Sequence, residues 1–162
     1  MFDKFGEFDS AEEINRAVMA QYEQGDMDAI RTICEENGLD YEMVEWIEED
    51  GKICSIMDAA WGKISIEEKE LDITKQELMQ DWVDALKHMC VDYPEIALGV
   101  RRKGKRLEDC IVKILQYSFK NQVPIPQKLV EKALPNFHQK VSLGVPCMKQ
   151  VKQIIRDYYL GE

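Results

Sequence analysis

The chain has only two histidines in 162 residues, no C-x-x-C pair and no glycine-rich phosphate loop. A zinc site needs about four nitrogen, sulfur or oxygen ligands, and no such set is spelled out. His88 and Cys90 lie two apart, so on a helix they point away from each other. His138 has no partner by spacing. The G-x-S-x-G and P-loop patterns are absent, and carboxylates are too abundant to single out a pair for acid–base work. No enzyme, no cofactor and no metal are expected.

The five cysteines, Cys34, Cys54, Cys90, Cys110 and Cys147, are odd in number and widely spaced. That argues against a disulfide framework and for most of the five as small buried hydrophobes in helix cores. No apolar run approaches the roughly 20 residues that a membrane span needs. Met1-Phe2-Asp3-Lys4 offers no apolar leader, so a cytoplasmic protein without membrane contact is expected. Strand signals are nearly missing: there is no sustained alternation, and Asn37-Gly38 falls where a helix ends.

What is present is helical periodicity. Hydrophobic residues make up 45% and charged residues 32%, a globular composition. Ser10 and Glu13 read as a capping box ahead of Ile14, Ala17, Val18 and Tyr22, with Gly25 as the stop. A second helix spans 26–37. A third follows Asp40, with Val44 and Ile47 inward. A fourth runs over 52–70 with Ile53, Ile56, Met57, Ala60, Trp61 and Ile64 inward. Thr74 and Glu77 read as another capping box, opening a helix that buries Leu78, Trp82, Ala85, Leu86 and Met89 and stops before Pro94. Pro94 suits the first turn of a short helix. The stretch 107–121 buries Leu107, Cys110, Ile111, Ile114, Leu115 and Phe119. Pro124 and Pro126 turn the chain into a short helix, and 135–145 is a loop. Pro146 opens a last helix with Val151, Ile154, Ile155 and Tyr158 buried and Tyr159 exposed. The expected fold class is all-α, a compact bundle of about seven to nine helices.

The charge is split along the chain. Residues 1–72 hold 21 Asp/Glu and 6 Lys/Arg, whereas residues 73–162 hold 10 Asp/Glu and 15 Lys/Arg. Such asymmetry points to a charged partner. No Gly/Ser linker marks the boundary, so an acidic helical subdomain, 1–73, is expected to pack against a basic one, 74–162. Glu42, Glu45, Glu48 and Glu49 recur at helical spacing. They form either a solvated surface or a mimic of a nucleic-acid backbone, since carboxylates one turn apart are about 5–6 Å apart. Arg101, Arg102, Lys103, Lys105 and Arg106 surround Gly104 in a basic connector. They either contact phosphates or neutralise the acidic half and a helix end. The net charge of −10 argues against general nucleic-acid binding. Trp46, Trp61 and Trp82 are expected in the core or between helices. Phe2, Phe5 and Phe8 either pack back on the bundle or form an exposed arm.

The opening Phe2-Asp3-Lys4-Phe5-Gly6-Glu7-Phe8-Asp9-Ser10-Ala11-Glu12-Glu13-Ile14 resembles small proteins carried on conjugative elements and phages of gut Firmicutes. Gly104-Lys105-Arg106-Leu107-Glu108-Asp109-Cys110 with its apolar helix, and the ending from Gly144-Val145-Pro146 through Tyr158-Tyr159, are similar to the PcfK-like group. That group includes conjugation accessory proteins and some Cas9-inhibiting anti-CRISPR proteins. The long acidic first half departs from its compact pattern. The resemblance implies no catalytic residues. It implies a non-enzymatic mobile-element protein that binds a CRISPR effector nuclease of the Cas9 type, or its guide complex, and inhibits it. Two other readings stay open: a conjugation accessory protein working through protein–protein contacts, and a nucleic-acid-binding regulator using the 101–106 connector.

Overall fold

The computed structural model describes residues 2–161, apart from the side chains of Trp46 and Glu48. The core position expected for Trp46 and the surface position expected for Glu48 therefore lie outside the described residues. The fold is all-helical, as the periodicity requires. In order come α1 (Ala11–Gln24), α2 (Met27–Asn37), a 3-10 segment (Tyr41–Trp46), α3 (Ile47–Asp50), α4 (Ile56–Glu70), α5 (Glu77–Asp92) and α6 (Pro94–Arg101). Then follow α7 (Leu107–Lys120), β1 (Val123–Pro124), α8 (Gln127–Ala133), β2 (Ser142–Leu143) and α9 (Met148–Leu160). The two short strands pair antiparallel, Val123 opposite Leu143. They close the neck of the proline-rich excursion whose second half the sequence reads as a plain loop.

Caps decide where the helices begin. The Ser10 hydroxyl accepts from the Glu13 amide at 3.1 Å, but the Glu13 carboxylate accepts from Asp9 at 2.8 Å rather than from Ser10. Thr74 and Glu77 form no box: Gln76 precedes α5 without a side-chain cap. The full box belongs to Ser55 and Asp58, with the Asp58 amide donating to Ser55 Oγ at 3.2 Å and the Ser55 amide to Asp58 Oδ2 at 2.9 Å. It delays α4 to Ile56. Ile53 and Cys54 instead enter the core on extended chain, where the Asn15 side chain accepts from both amides at 2.8 and 3.0 Å.

Two hydrophobic clusters form, and α4 belongs to both. Ile14, Val18, Ile30, Ile33, Ile47, Ile53 and Ala59 make the first, with Phe5 and Phe8 packed on it. The arm therefore folds back on the bundle. Ile64, Trp82, Leu86, Ile96, Val100, Leu107, Ile114, Val151, Ile155 and Tyr159 contribute to the second. The division falls between Ala59 and Ala60, inside the acidic half, and Ile56 packs against both clusters.

Several inward assignments are corrected. Met57, Trp61, Leu78 and Phe119 are exposed. Trp61 lies over the α5 surface, its indole N–H donating to the Lys87 carbonyl at 3.2 Å. Phe119 is 73% exposed because the buried stripe of α7 ends at Ile114. The two tyrosines are reversed: Val151, Ile155 and Tyr159 make the buried i, i+4, i+8 row, and Tyr158 is half-buried. Gly99 of α6 makes room for that row, since a Cβ there would stand 2.7 Å from the Tyr159 carbonyl oxygen.

A second close crossing joins α2 to α4. A Cβ on Gly62 would stand 2.2 Å from the Asn37 carbonyl oxygen, so the helices touch backbone to backbone. Gly62→Ala is expected to destabilise the protein. Overpacking costs about 1–3 kcal/mol, against a helix-propensity gain of about 1 kcal/mol. A urea midpoint equal to that of the unmodified chain would contradict the crossing.

Candidate functional site

The basic connector lies between the end of α6 and the start of α7, and it is tied down along its length. Arg101 does not reach solvent: it is 1% exposed. It continues the inward row of Ile96, Ala97 and Val100 on α6. One guanidinium nitrogen donates to Asn37 Oδ1, and Asn37, also buried, donates to the Ile33 carbonyl at 2.8 Å. The guanidinium centre is 5.7 Å from the Phe2 ring. Burial pushes the Arg101 pKa down, opposed by Glu7 and Glu67. Arg101 is therefore removed from any phosphate-binding role, because its head group is sealed inside the fold.

Lys63 of α4 is the second buried cation, fully shielded from solvent. Its ammonium donates to Glu7 Oε1 at 2.5 Å and to the Arg102 carbonyl at 3.1 Å. The remaining connector residues are engaged in turn. The Lys103 amide donates to Asp9 Oδ1 at 2.8 Å, and its ammonium is 3.9 Å from Glu13. Lys105 donates to the Tyr158 carbonyl, with its ammonium 4.7 Å from that ring. The Arg106 amide donates to the Tyr158 hydroxyl at 2.8 Å, and its guanidinium is 3.8 Å from Glu70. Arg102 is exposed and forms no ion pair among the described residues. Two of the five cations meet acids, Lys103 with Glu13 of α1 and Arg106 with Glu70 of α4. Arg101 and Lys105 are held by neutral groups instead.

The carboxylates of the 3-10 segment and α3 are not answered in this way. Glu42, Glu45 and Glu49 are exposed, and none forms an ion pair among the described residues. Glu42 and Glu45 share a face, because side chains three apart eclipse in 3-10 geometry. Glu23, Asp26, Asp28, Glu35, Asp40 and Asp50 are exposed around them. Arg31 is the single cation between residues 23 and 50, and it stacks 4.2 Å over the Tyr41 ring. A shallow recess of about 320 Å³ beside Glu45 is lined by Tyr22, Met27 and Val44.

Four of the five thiols offer no chemistry of their own, and Cys147 is exposed rather than in a helix core. Cys34, Cys54, Cys90 and Cys110 are buried. Burial raises the Cys54, Cys90 and Cys110 pKa values to about 12 and Cys34 to about 11, which suppresses the thiolate needed for attack. No grouping of His, Cys, Asp and Glu suited to a metal ion occurs among the described residues. No helix among them is long and apolar enough to cross a membrane. Comparison with protein-family models, curated proteins and solved structures finds no match for this chain.

Sequence reasoning missed Lys63, Glu7, Asn37 and Glu67. The available signal was phase: Lys63 and Glu67 fall on the inward row of α4 with Ala59, Ala60 and Ile64. Glu67 accepts from the Leu107 amide at 2.7 Å and so anchors the start of α7. Burial raises its pKa, with that amide and Lys63 pulling the other way. A raised folded pKa means its contribution is fully present below the ordinary glutamate value, about 4.3. It is lost as pH rises through the raised folded value. Glu67→Gln keeps an acceptor for Leu107 and is expected to remove this loss. Urea unfolding across pH should then show wild type falling relative to the variant above the ordinary range. Parallel curves would refute the assignment.

Proposed function

We propose that this protein is a non-enzymatic inhibitor that presents the acidic surface around Glu42, Glu45 and Glu49 to a nucleic-acid-handling protein, in place of its nucleic acid. The observation that supports this is the unequal use of charge. The connector's cations are mostly spent on internal contacts, while Glu42, Glu45, Glu49 and the acidic neighbours named above stay exposed. Like charges gathered without counter-charges repel one another. A cationic channel relieves that repulsion and releases the ions condensed there, as a phosphate backbone does.

The target class rests on the resemblance of 2–14, 104–110 and 144–159 to mobile-element proteins. It is a CRISPR effector nuclease of the Cas9 type, whose positively charged channel holds the guide–target duplex by its backbone. The regulator reading through 101–106 loses ground, since Arg101 is buried and three of the other four cations are engaged.

The test is cleavage of target DNA by a guide-loaded effector with this protein titrated in, beside an unrelated nuclease on the same DNA. Selective inhibition is expected. It should weaken at least about tenfold, ~1.4 kcal/mol, in the triple reversal Glu42→Lys, Glu45→Lys, Glu49→Lys, whose thermal melt should match the parent. Inhibition should also fade as salt rises. Intact cleavage with several effector types would overturn the target class and leave the conjugation accessory reading. Inhibition indifferent to the triple reversal would overturn the mimic.

A further inference from the structure

The cations that remain free lie elsewhere. Residues 110–161 hold 8 Lys/Arg and only 2 Asp/Glu, so this end of a net-acidic chain is strongly basic. Between α7 and α9 runs a groove of about 860 Å³. Its α7 wall is Lys113, Gln116, Tyr117, Lys120 and Asn121, a spacing of i, i+3, i+4, i+7 and i+8 that defines one helix face. Tyr117 and Asn121 continue the buried row of Cys110 and Ile114, but Lys113, Gln116 and Lys120 lie off it and are exposed. Those three side chains are not explained by packing.

Tyr158 sets the groove's cations in place. Its ring has the Lys105 ammonium at 4.7 Å and the Lys113 ammonium at 5.9 Å. Its hydroxyl is fixed by the Arg106 amide and by Asp109, to which it donates at 3.4 Å. Lys113 and Lys120 form no ion pair among the described residues. They stand two helical turns apart, about 10.5 Å along the axis. Asp157 is the single carboxylate in the lining, and it accepts from Gln153 at 2.7 Å. Phe119, one helical turn on from Gln116 and just outside the groove's lining, exposes an aromatic ring that contributes nothing to the core.

Lysines spaced along a groove, a side-chain amide between them and an open aromatic face beside them are the parts of a strand-binding surface. Cations track phosphates, and rings stack bases. An acidic protein surface would satisfy the lysines but leave Phe119 without a planar partner. We propose that the α7–α9 groove binds single-stranded nucleic acid, with Lys113 and Lys120 on phosphates and Phe119 as a flanking stacking face. This site is separate from the acidic surface and stands without it.

Fluorescence anisotropy of the full chain with labelled oligothymidylate and oligouridylate strands of roughly 20 nucleotides tests it, since single-strand sites span several nucleotides per fold. Two phosphate contacts give a log–log salt slope of about −1.4. The pair Lys113→Glu and Lys120→Glu should weaken binding at least about tenfold and flatten that slope. Phe119→Ala should weaken it about fivefold or more without changing the slope. Glu42→Lys with Glu45→Lys should leave binding intact, which separates this site's failure from failure of the inhibitor reading. The proposal is overturned if no binding occurs at low salt or if the lysine reversals have no effect. It is also overturned if polyglutamate displaces the strand as well as unlabelled oligonucleotide does, which would assign the groove to an acidic protein.

Discussion

Two cations occupy interior positions where a helical bundle ordinarily places leucine. Lys63 and Arg101 stand on α4 and α6, the two helices in most extensive contact with each other, and both are sealed from solvent. A charge taken out of water costs several kcal/mol unless it is paired and hydrogen-bonded. The surrounding structure compensates Lys63 with a carboxylate and a carbonyl, and Arg101 only in part, since its Nε and one terminal nitrogen have no hydrogen-bond partner among the described residues. The partners come from far along the chain. Glu7 arrives on the N-terminal arm, Asn37 on the last turn of α2, and the Arg102 carbonyl on the connector. Each partner holds a different segment in register. The arm covers the first cluster with Phe5 and Phe8 because Glu7 is held by Lys63, and Lys4 and Phe5 are held through their amides by Glu36. The connector is brought against α4 by the same ammonium, which places Leu107 under the Glu67 carboxylate.

This constraint explains why the basic connector is a structural device. Its charge was the plainest binding signal in the sequence, yet the segment serves chiefly as a strap joining the arm, α4 and α9. Once those cations are assigned to the interior and to nearby acids, the charge resolves into three zones. Residues 23–50 remain acidic on the surface, the middle of the molecule is internally neutralised, and residues 110–161 remain basic. A two-way division at residue 73 hides this, because α4 carries acids into the centre and helps to build both cores.

The helical class and most helix locations were legible, since each long element carries an apolar row at i, i+3 and i+4. What failed was phase at the ends and chemistry in the middle. Tyr158 and Tyr159 are adjacent aromatics, and periodicity alone cannot choose between them. Backbone approach at Gly99 makes the choice. The α4 start was placed at Lys52 because Ile53 fits the helical period, whereas Asn15 holds that residue on extended chain. A lysine among isoleucines and alanines reads as an edge residue, yet Lys63 is buried. Its partner Glu7 lies far away in sequence, and no local pattern connects them. Glu42, Glu45 and Glu49 were legible as exposed because they lie off the apolar row of Val44 and Ile47. Their isolation from cations was not, since it depends on where the connector goes.

The separation of the two charged surfaces bears on how one small chain can carry both. If the acids of 23–50 and the lysines of 110–161 met, they would neutralise each other, and neither would attract a partner. They grow instead from different cores, the acidic segments around Ile30, Ile33 and Ile47 and the basic ones around Ile114, Val151 and Ile155. At physiological ionic strength charges are screened beyond about 8 Å, close to the 8–10 Å spacing of one packed helix pair. Screening on that scale leaves each surface governed by its own residues. The internally paired centre then acts as an insulator. It joins the acidic face proposed to meet a cationic protein to the basic groove proposed to bind a phosphate strand. A ribonucleoprotein nuclease offers both kinds of surface, so the two proposals are compatible on one chain.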